Sequence, residues 1–138
     1  MMENILANDL TGNIGPQKYL CTIYWRNGRF ITDEPEDLGG RDLGPDPYSL
    51  LLSSLASCTL STLRMYIDRK GWNIAEINIA LNLSQTNDGE LTTTITKALT
   101  FPPTVTEEQK IRLLEIAEKC PISKLLKAKI HINASKTL

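Results

Sequence analysis

Asp46-Pro47-Tyr48-Ser49-Leu50-Leu51-Leu52-Ser53-Ser54-Leu55-Ala56-Ser57-Cys58-Thr59-Leu60-Ser61-Thr62-Leu63-Arg64-Met65-Tyr66-Ile67-Asp68-Arg69-Lys70-Gly71 reads as one long helix with both ends marked. Asp46 is a preferred N-cap type and Pro47 suits the first helical position. Gly71 is the expected terminator. At 1.5 Å per residue the stretch from Pro47 to Lys70 spans about 36 Å. Leu52, Ala56, Thr59, Leu63 and Tyr66 share one face, and Leu51, Leu55, Cys58, Thr62 and Met65 share the adjacent one. So broad an apolar surface predicts a helix wrapped by other structure.

Upstream, Asp33 to Pro47 mixes prolines, glycines and acidic residues without periodicity, which predicts an ordered surface loop feeding the helix. Before it, Lys18 to Trp25 and Arg29 to Thr32 read as strands around Arg26-Asn27-Gly28, whose Asn-Gly pair is a hairpin signal. Ile5 to Leu10 is a weaker strand, followed by a polar turn over Thr11 to Pro16.

Downstream, Ile74 to Gln85 and Leu91 to Phe101 read as strands joined through Asp88-Gly89. Ile77, Ile79, Leu81 and Leu83 alternate with polar or small residues, as in a sheet with one buried face. Thr106 with Gln109 forms a capping-box pattern, and Leu113, Ala117 and Cys120 fall on one helical face before Pro121 ends that helix. Ile122 to Leu126 suggests a helical turn and Lys129 to Ala134 a last strand. The order β-β-β, long helix, β-β, helix, β makes this an α+β protein, and 138 residues suit a single domain over 1–138.

Fifteen basic against sixteen acidic residues leave a net charge of −1, without the positive field that nucleic-acid phosphates require. No run of about 20 apolar residues is present, and the N-terminus lacks a basic region followed by an apolar core, so no membrane is expected and a cytoplasmic location is. Cys21, Cys58 and Cys120 are too few for a secreted disulfide framework, and no CxxC pair suggests zinc or a thioredoxin-like centre. His131, the single histidine, rules out a multi-histidine metal site and reads as a strand residue. From position alone, each cysteine reads as a small buried hydrophobe.

Two longer motifs change that reading. Gly44-Pro45-Asp46-Pro47 leading through leucines and small residues to Cys58 resembles the signature of the OsmC/Ohr family, in which such a helix ends in a reactive cysteine. Leu63-Arg64-Met65-Tyr66 and Arg69-Lys70-Gly71-Trp72 are similar to one branch of OsmC-like proteins. The second family motif matches Leu113 to Leu126, and its cysteine, Cys120, lies 62 positions after Cys58. The resemblance implies an OsmC-like fold in which antiparallel sheets enclose a long central helix, assembled as an intertwined homodimer. It implies a thiol-dependent peroxidase acting on organic hydroperoxides without a cofactor. Cys58 as thiolate would attack the O–O bond, and Cys120 would then close a disulfide with it.

Such chemistry needs an activated thiol, because a cysteine of ordinary pKa is only about 3% thiolate at pH 7. Lowering its pKa to 7 takes about 2 kcal/mol of preferential anion stabilisation. The family's activating arginine lies in an Arg-x-Gly turn that Arg26-Asn27-Gly28 matches, with Arg41 the second candidate. Tyr48 stands where the family's better-characterised branch has the glutamate that pairs with this arginine. Tyr48, Leu51 and Leu55 are the expected contacts for an apolar peroxide tail, and a small dithiol or a lipoyl-bearing protein the expected reductant. Two other readings remain: a non-catalytic OsmC-like stress or binding protein that retains the fold and cysteines, and a metal site of Cys58, Cys120 and His131, which lacks short ligand spacings.

Overall fold

A computed structural model describes residues 3–133 and resolves them into two compact units that divide at Leu51 and Leu52. In the first unit three strands form an antiparallel sheet in chain order: β1 (Thr11–Ile14), β2 (Cys21–Trp25) and β3 (Gly28–Thr32). Its first strand lies later than the sequence suggests. Ile5 to Leu10 form no strand, and the Thr11 to Ile14 part of the expected turn pairs instead, Thr11 opposite Tyr24 and Ile14 opposite Cys21. The ladder offered by β2 outweighs the turn composition of this polar segment, because strand preference depends on the neighbour as much as on the residue. The hairpin also differs in detail. Trp25 pairs with Gly28, so Arg26 and Asn27 form the loop and Gly28 opens β3. Gly28 leaves room for the Trp25 ring, since a Cβ there would lie 2.8 Å from it and the ring would have to shift.

The loop after β3 is organised by one carboxylate. Asp33, almost wholly buried, accepts backbone N–H groups from Tyr19 (3.1 Å), Glu34 (2.8 Å), Arg41 (3.3 Å) and Leu43 (3.2 Å). Burial by itself would raise its pKa, but these four donors stabilise the anion and leave it below the ordinary value. The wrap is tight at Gly40, where a Cβ would sit 2.0 Å from the Glu34 carbonyl oxygen.

The long helix α1 (Pro47–Lys70) begins and ends as the sequence predicts. Asp46 accepts the Tyr48 and Ser49 N–H groups at 3.1 and 3.4 Å. At the other end Gly71 takes a φ of 70°, with Gly71 N–H on Asp68 O and Trp72 N–H on Ile67 O, the paired bonds of a Schellman stop. By length and composition alone α1 could cross a membrane, a test that the core helix of a soluble protein also passes. Leu55, Thr59, Leu63, Tyr66 and Ile67 are its buried residues, and Leu63 and Ile67 are completely enclosed. On the adjacent face Met65 stays 65% exposed.

The second unit contains the hairpin of β4 (Asn78–Asn87) and β5 (Leu91–Thr100), closed by a loop with Gly89 at φ 91°. Ile79, Leu81 and Leu83 alternate half-buried with exposed neighbours, as the pattern requires. Helix α2 (Glu107–Ala117) starts in the expected capping box, Gln109 N–H on Thr106 Oγ1 at 3.1 Å and Thr106 N–H on Gln109 Oε1 at 3.0 Å. Leu63, Tyr66 and Ile67 pack with Ile74, Val105, Leu113, Ile116 and Ala117 into the core. The short α3 (Pro121–Lys127) follows. Lys129 to Asn133 form no strand, because neither sheet among the described residues offers them a ladder. Ile130 and Ile132 are exposed, and Ala134 lies outside the described residues.

Candidate active site

Within the second unit the two cysteines named from sequence meet. Cys58 lies on α1 and is half-buried; Cys120 is fully enclosed. Cys120 does not continue the α2 face as its spacing suggested. α2 stops at Ala117, and Cys120 has extended backbone, φ −63° and ψ 134°, as the N-cap of α3. Its sulfur accepts the Ser123 N–H at 3.3 Å, as a capping side chain does, and Pro121 at the first helical position has no N–H to satisfy. Sequence reading places this cysteine on the wrong element because Leu113, Ala117 and Cys120 keep helical spacing across a break that only Pro121 announces.

Thr59, the residue after Cys58 and wholly buried, donates its hydroxyl to Cys120 Sγ at 3.7 Å. Thr62, one helical turn beyond Cys58, donates to the Cys58 sulfur, and the Ile122 N–H lies against both sulfurs. The two thiols are therefore unequal. Burial pushes Cys58 up, and its hydrogen bond and repulsion with Cys120 add to that, outweighing Ile122 and Thr62. Burial also opposes a Cys120 anion, but Ser123 N–H, the Cys58 thiol, the Thr59 hydroxyl and Ile122 N–H together bring its pKa below the usual thiol value. Burial thus works against the Cys58 anion, whereas the donors gathered around Cys120 favour its anion.

Beside the pair lies a half-open cavity of about 450 Å³. Leu55, Ile95 and Leu126 supply apolar wall; Ser123, whose N–H caps Cys120, also lines it. Lys97 stands on the inward row of β5 between Ile95 and Leu99, a lysine where alternation calls for an apolar residue. It is held by the Ala117 carbonyl at 3.5 Å, at the negative end of α2, and by Glu118 at 3.8 Å. Lys127 reaches the same carboxylate at 2.5 Å, and the two ammonium groups keep Glu118 below the ordinary carboxylate pKa despite its partial burial. Among the described residues no three His, Cys, Asp or Glu side chains group as metal ligands, and exposed His131 does not join the cysteines.

The profile of the family described as OsmC-like protein matches residues 39–135, a span that includes Cys58 and Cys120 and most of the second unit. The chain belongs to the OsmC-like family. Its fold is shared with an OsmC-like protein from Mycoplasma pneumoniae, at 20% identity over 91% of this chain and 89% of that one, with a TM-score of 0.75. A protein of Psychrobacter arcticus 273-4 described as osmotic stress induced and belonging to the detoxification response superposes at a TM-score of 0.72, with 22% identity and 94% and 91% coverage. An organic hydroperoxide resistance protein from Elizabethkingia anophelis, with thiocyanate bound, reaches 0.66 at 21% identity and 90% and 91% coverage. No curated protein sequence matches.

Of the remaining OsmC-like site candidates Leu55 lies in the second unit, and the others lie in the first unit or on its part of α1. Arg26 sits exposed in the β2–β3 turn, and with Trp25 and Ile5 to Leu10 it lines a cavity of about 270 Å³. Arg41 is exposed, its backbone N–H held by Asp33. Tyr48 and Leu51 are 57% and 40% exposed, whereas Leu55 is buried and lines the cavity beside the thiols. Cys21 opens β2, paired with Ile14 and Thr32, and its thiol donates to Tyr19 O at 3.8 Å. Sequence reading did not single out Asp33, Thr59 or Lys97. Lys97 had a signal, a charge on the inward row of a strand; Asp33 had none to separate it from the other acids of its loop.

Proposed function

We propose that this OsmC-like protein is a thiol-dependent peroxidase that reduces organic hydroperoxides through a Cys58 thiolate and a Cys58–Cys120 disulfide. The observation that carries the reading is that the two cysteines meet in the fold, since Thr59, the residue after Cys58, donates its hydroxyl to Cys120 Sγ at 3.7 Å across 61 positions of sequence. Exposure divides the labour. Half-buried Cys58 can meet a peroxide, and enclosed Cys120 cannot. The Cys58 thiolate attacks the distal peroxide oxygen, the O–O bond breaks, and the alkoxide takes a proton to leave as alcohol. The Cys120 thiolate then attacks the Cys58 sulfenic sulfur and expels hydroxide, giving the disulfide. A small dithiol or a lipoyl-bearing protein restores both thiols.

Burial works against the Cys58 anion, so the first step needs a positive charge that the hydrogen-bond donors around Cys58 do not supply. We assign that charge to Arg26, with Arg41 as the second candidate, and assign Tyr48, Leu51 and Leu55 to the apolar part of the peroxide. Both units then belong to one OsmC-like domain over 1–138, in a cytoplasmic homodimer whose second copy covers Met65 and its neighbours on α1. Neither nucleic acid nor a membrane has a place in this reading.

A non-catalytic OsmC-like binding or stress role is favoured by one observation, the upward push on Cys58, beside a Tyr48 that replaces the family's carboxylate. Steady-state turnover of cumene hydroperoxide with dihydrolipoamide separates the two. Sustained consumption that requires Cys58 supports the peroxidase; thiols that stay reduced in excess peroxide support the binding role.

A further inference from the structure

Reduction of the disulfide poses a choice that peroxide reduction does not: which sulfur the incoming thiol attacks and which one leaves. We propose that Thr59 holds Cys120 as the departing thiolate, so that a dithiol reductant is directed onto the Cys58 sulfur. This inference rests on the dithiol reading above and assigns a role to a residue which that reading leaves unused.

Cys58 is half-buried and Cys120 wholly enclosed, so an incoming thiolate reaches the Cys58 sulfur first. Attack there forms a bond between reductant sulfur and Cys58 and breaks the Cys58–Cys120 bond, whose electron pair stays on Cys120. The second thiol of the reductant then attacks its own mixed disulfide and expels Cys58 as thiolate; the reductant departs as a cyclic disulfide, and protons from solvent complete the balance.

A sulfur leaves faster when its anion is better stabilised. Beside the Ile122 N–H that lies against both sulfurs, Cys120 has two donors in place before any charge develops, Ser123 N–H at 3.3 Å and the Thr59 hydroxyl at 3.7 Å. Both are weak partners for a neutral or disulfide sulfur and strengthen as it becomes an anion, most of all in a dry site. Thr59 is completely buried, so its hydroxyl has no water to exchange with. Preorganised donors of this kind stabilise charge at the moment it appears without having to reorient. The location follows from the chain, since the residue next to Cys58 on α1 faces Cys120 and one short segment of helix addresses both sulfurs.

The test isolates Cys120 in a Cys58→Ser background and follows its thiolate by ultraviolet absorbance against pH. Thr59→Val keeps the shape and removes the donor; it is expected to raise the Cys120 pKa by about one pH unit, with Thr59→Ser restoring it. Thr59→Ala supplies the same loss should the valine variant not fold. In protein with both cysteines, oxidised with diamide, reopening by dithiothreitol is expected to be slower in Thr59→Val than in the parent and to recover in Thr59→Ser. A Cys120 titration unmoved in both the valine and alanine variants overturns the proposal. Neither measurement uses peroxide: a shift rescued by serine in a protein that turns over no peroxide keeps Thr59 and removes the peroxidase reading, and the reverse result does the opposite.

Discussion

Leu63 and Met65 stand two residues apart on α1, and truncating each to alanine tests what covers the helix. Leu63 has no exposed surface and packs in the core of the second unit, so Leu63→Ala is expected to cost about 2–5 kcal/mol of folding stability. Met65 is 65% exposed on a single subunit. An isolated chain should barely register its loss, within about 0.5 kcal/mol. In a two-fold dimer the balance changes. Covering a methionine contributes about 1.5–3 kcal/mol, of which the still-exposed two-thirds is ~1–2 kcal/mol per subunit. With one copy from each subunit that becomes ~2–4 kcal/mol per dimer, a weakening of dimer affinity by roughly 30- to 1,000-fold. Sedimentation velocity over a concentration series reads this directly, with urea unfolding of Leu63→Ala as the reference for core damage. A parent protein that sediments as a folded monomer at micromolar concentration, with Met65→Ala indistinguishable from it, would refute the dimer.

Cys58→Ser should abolish peroxide consumption, whereas Cys120→Ser should react once and stop at a sulfenic acid that dimedone traps on Cys58, as intact mass will show; trapping on Cys120 with activity retained reverses the assignment. Arg26→Ala is expected to raise the Cys58 pKa and slow its oxidation, with Arg26→Lys partly preserving it because a point charge remains without the guanidinium fork; equal rates in both variants shift the role to Arg41. Asp33 has a folded pKa below that of an unfolded aspartate. Its stabilising contribution is therefore complete above the unfolded value of about 3.9 and lost as pH falls through the lower folded value. Asp33→Asn should accordingly lower stability at neutral pH and flatten the acid limb of the stability profile, measured by denaturant unfolding at stepped pH; an unchanged acid limb removes Asp33 as the organiser of its loop.

Whatever depends on neighbours in the chain was legible in the sequence. Asp46, Pro47 and Gly71 marked the ends of α1, Thr106 and Gln109 the start of α2, and alternation through Ile79, Leu81 and Leu83 the half-buried row of β4, because caps and periodicity are local chemistry. The family motifs singled out Cys58 and Cys120, which the fold brings together, although spacing alone misplaced Cys120 on α2. Tertiary structure decided what depends on partners distant along the chain. Thr11 to Ile14 became a strand because β2 offered a ladder, and Lys129 to Asn133 did not because no described strand did. Asp33 became a hub only when Tyr19, Arg41 and Leu43 turned their amides towards it. The ordering of the two thiols is likewise tertiary, since a thiol's pKa is set by the burial and donors that surround it. Thr59 reaches Cys120 only once α1 and α3 have packed, whereas the Ser123 N–H is a local cap three residues on.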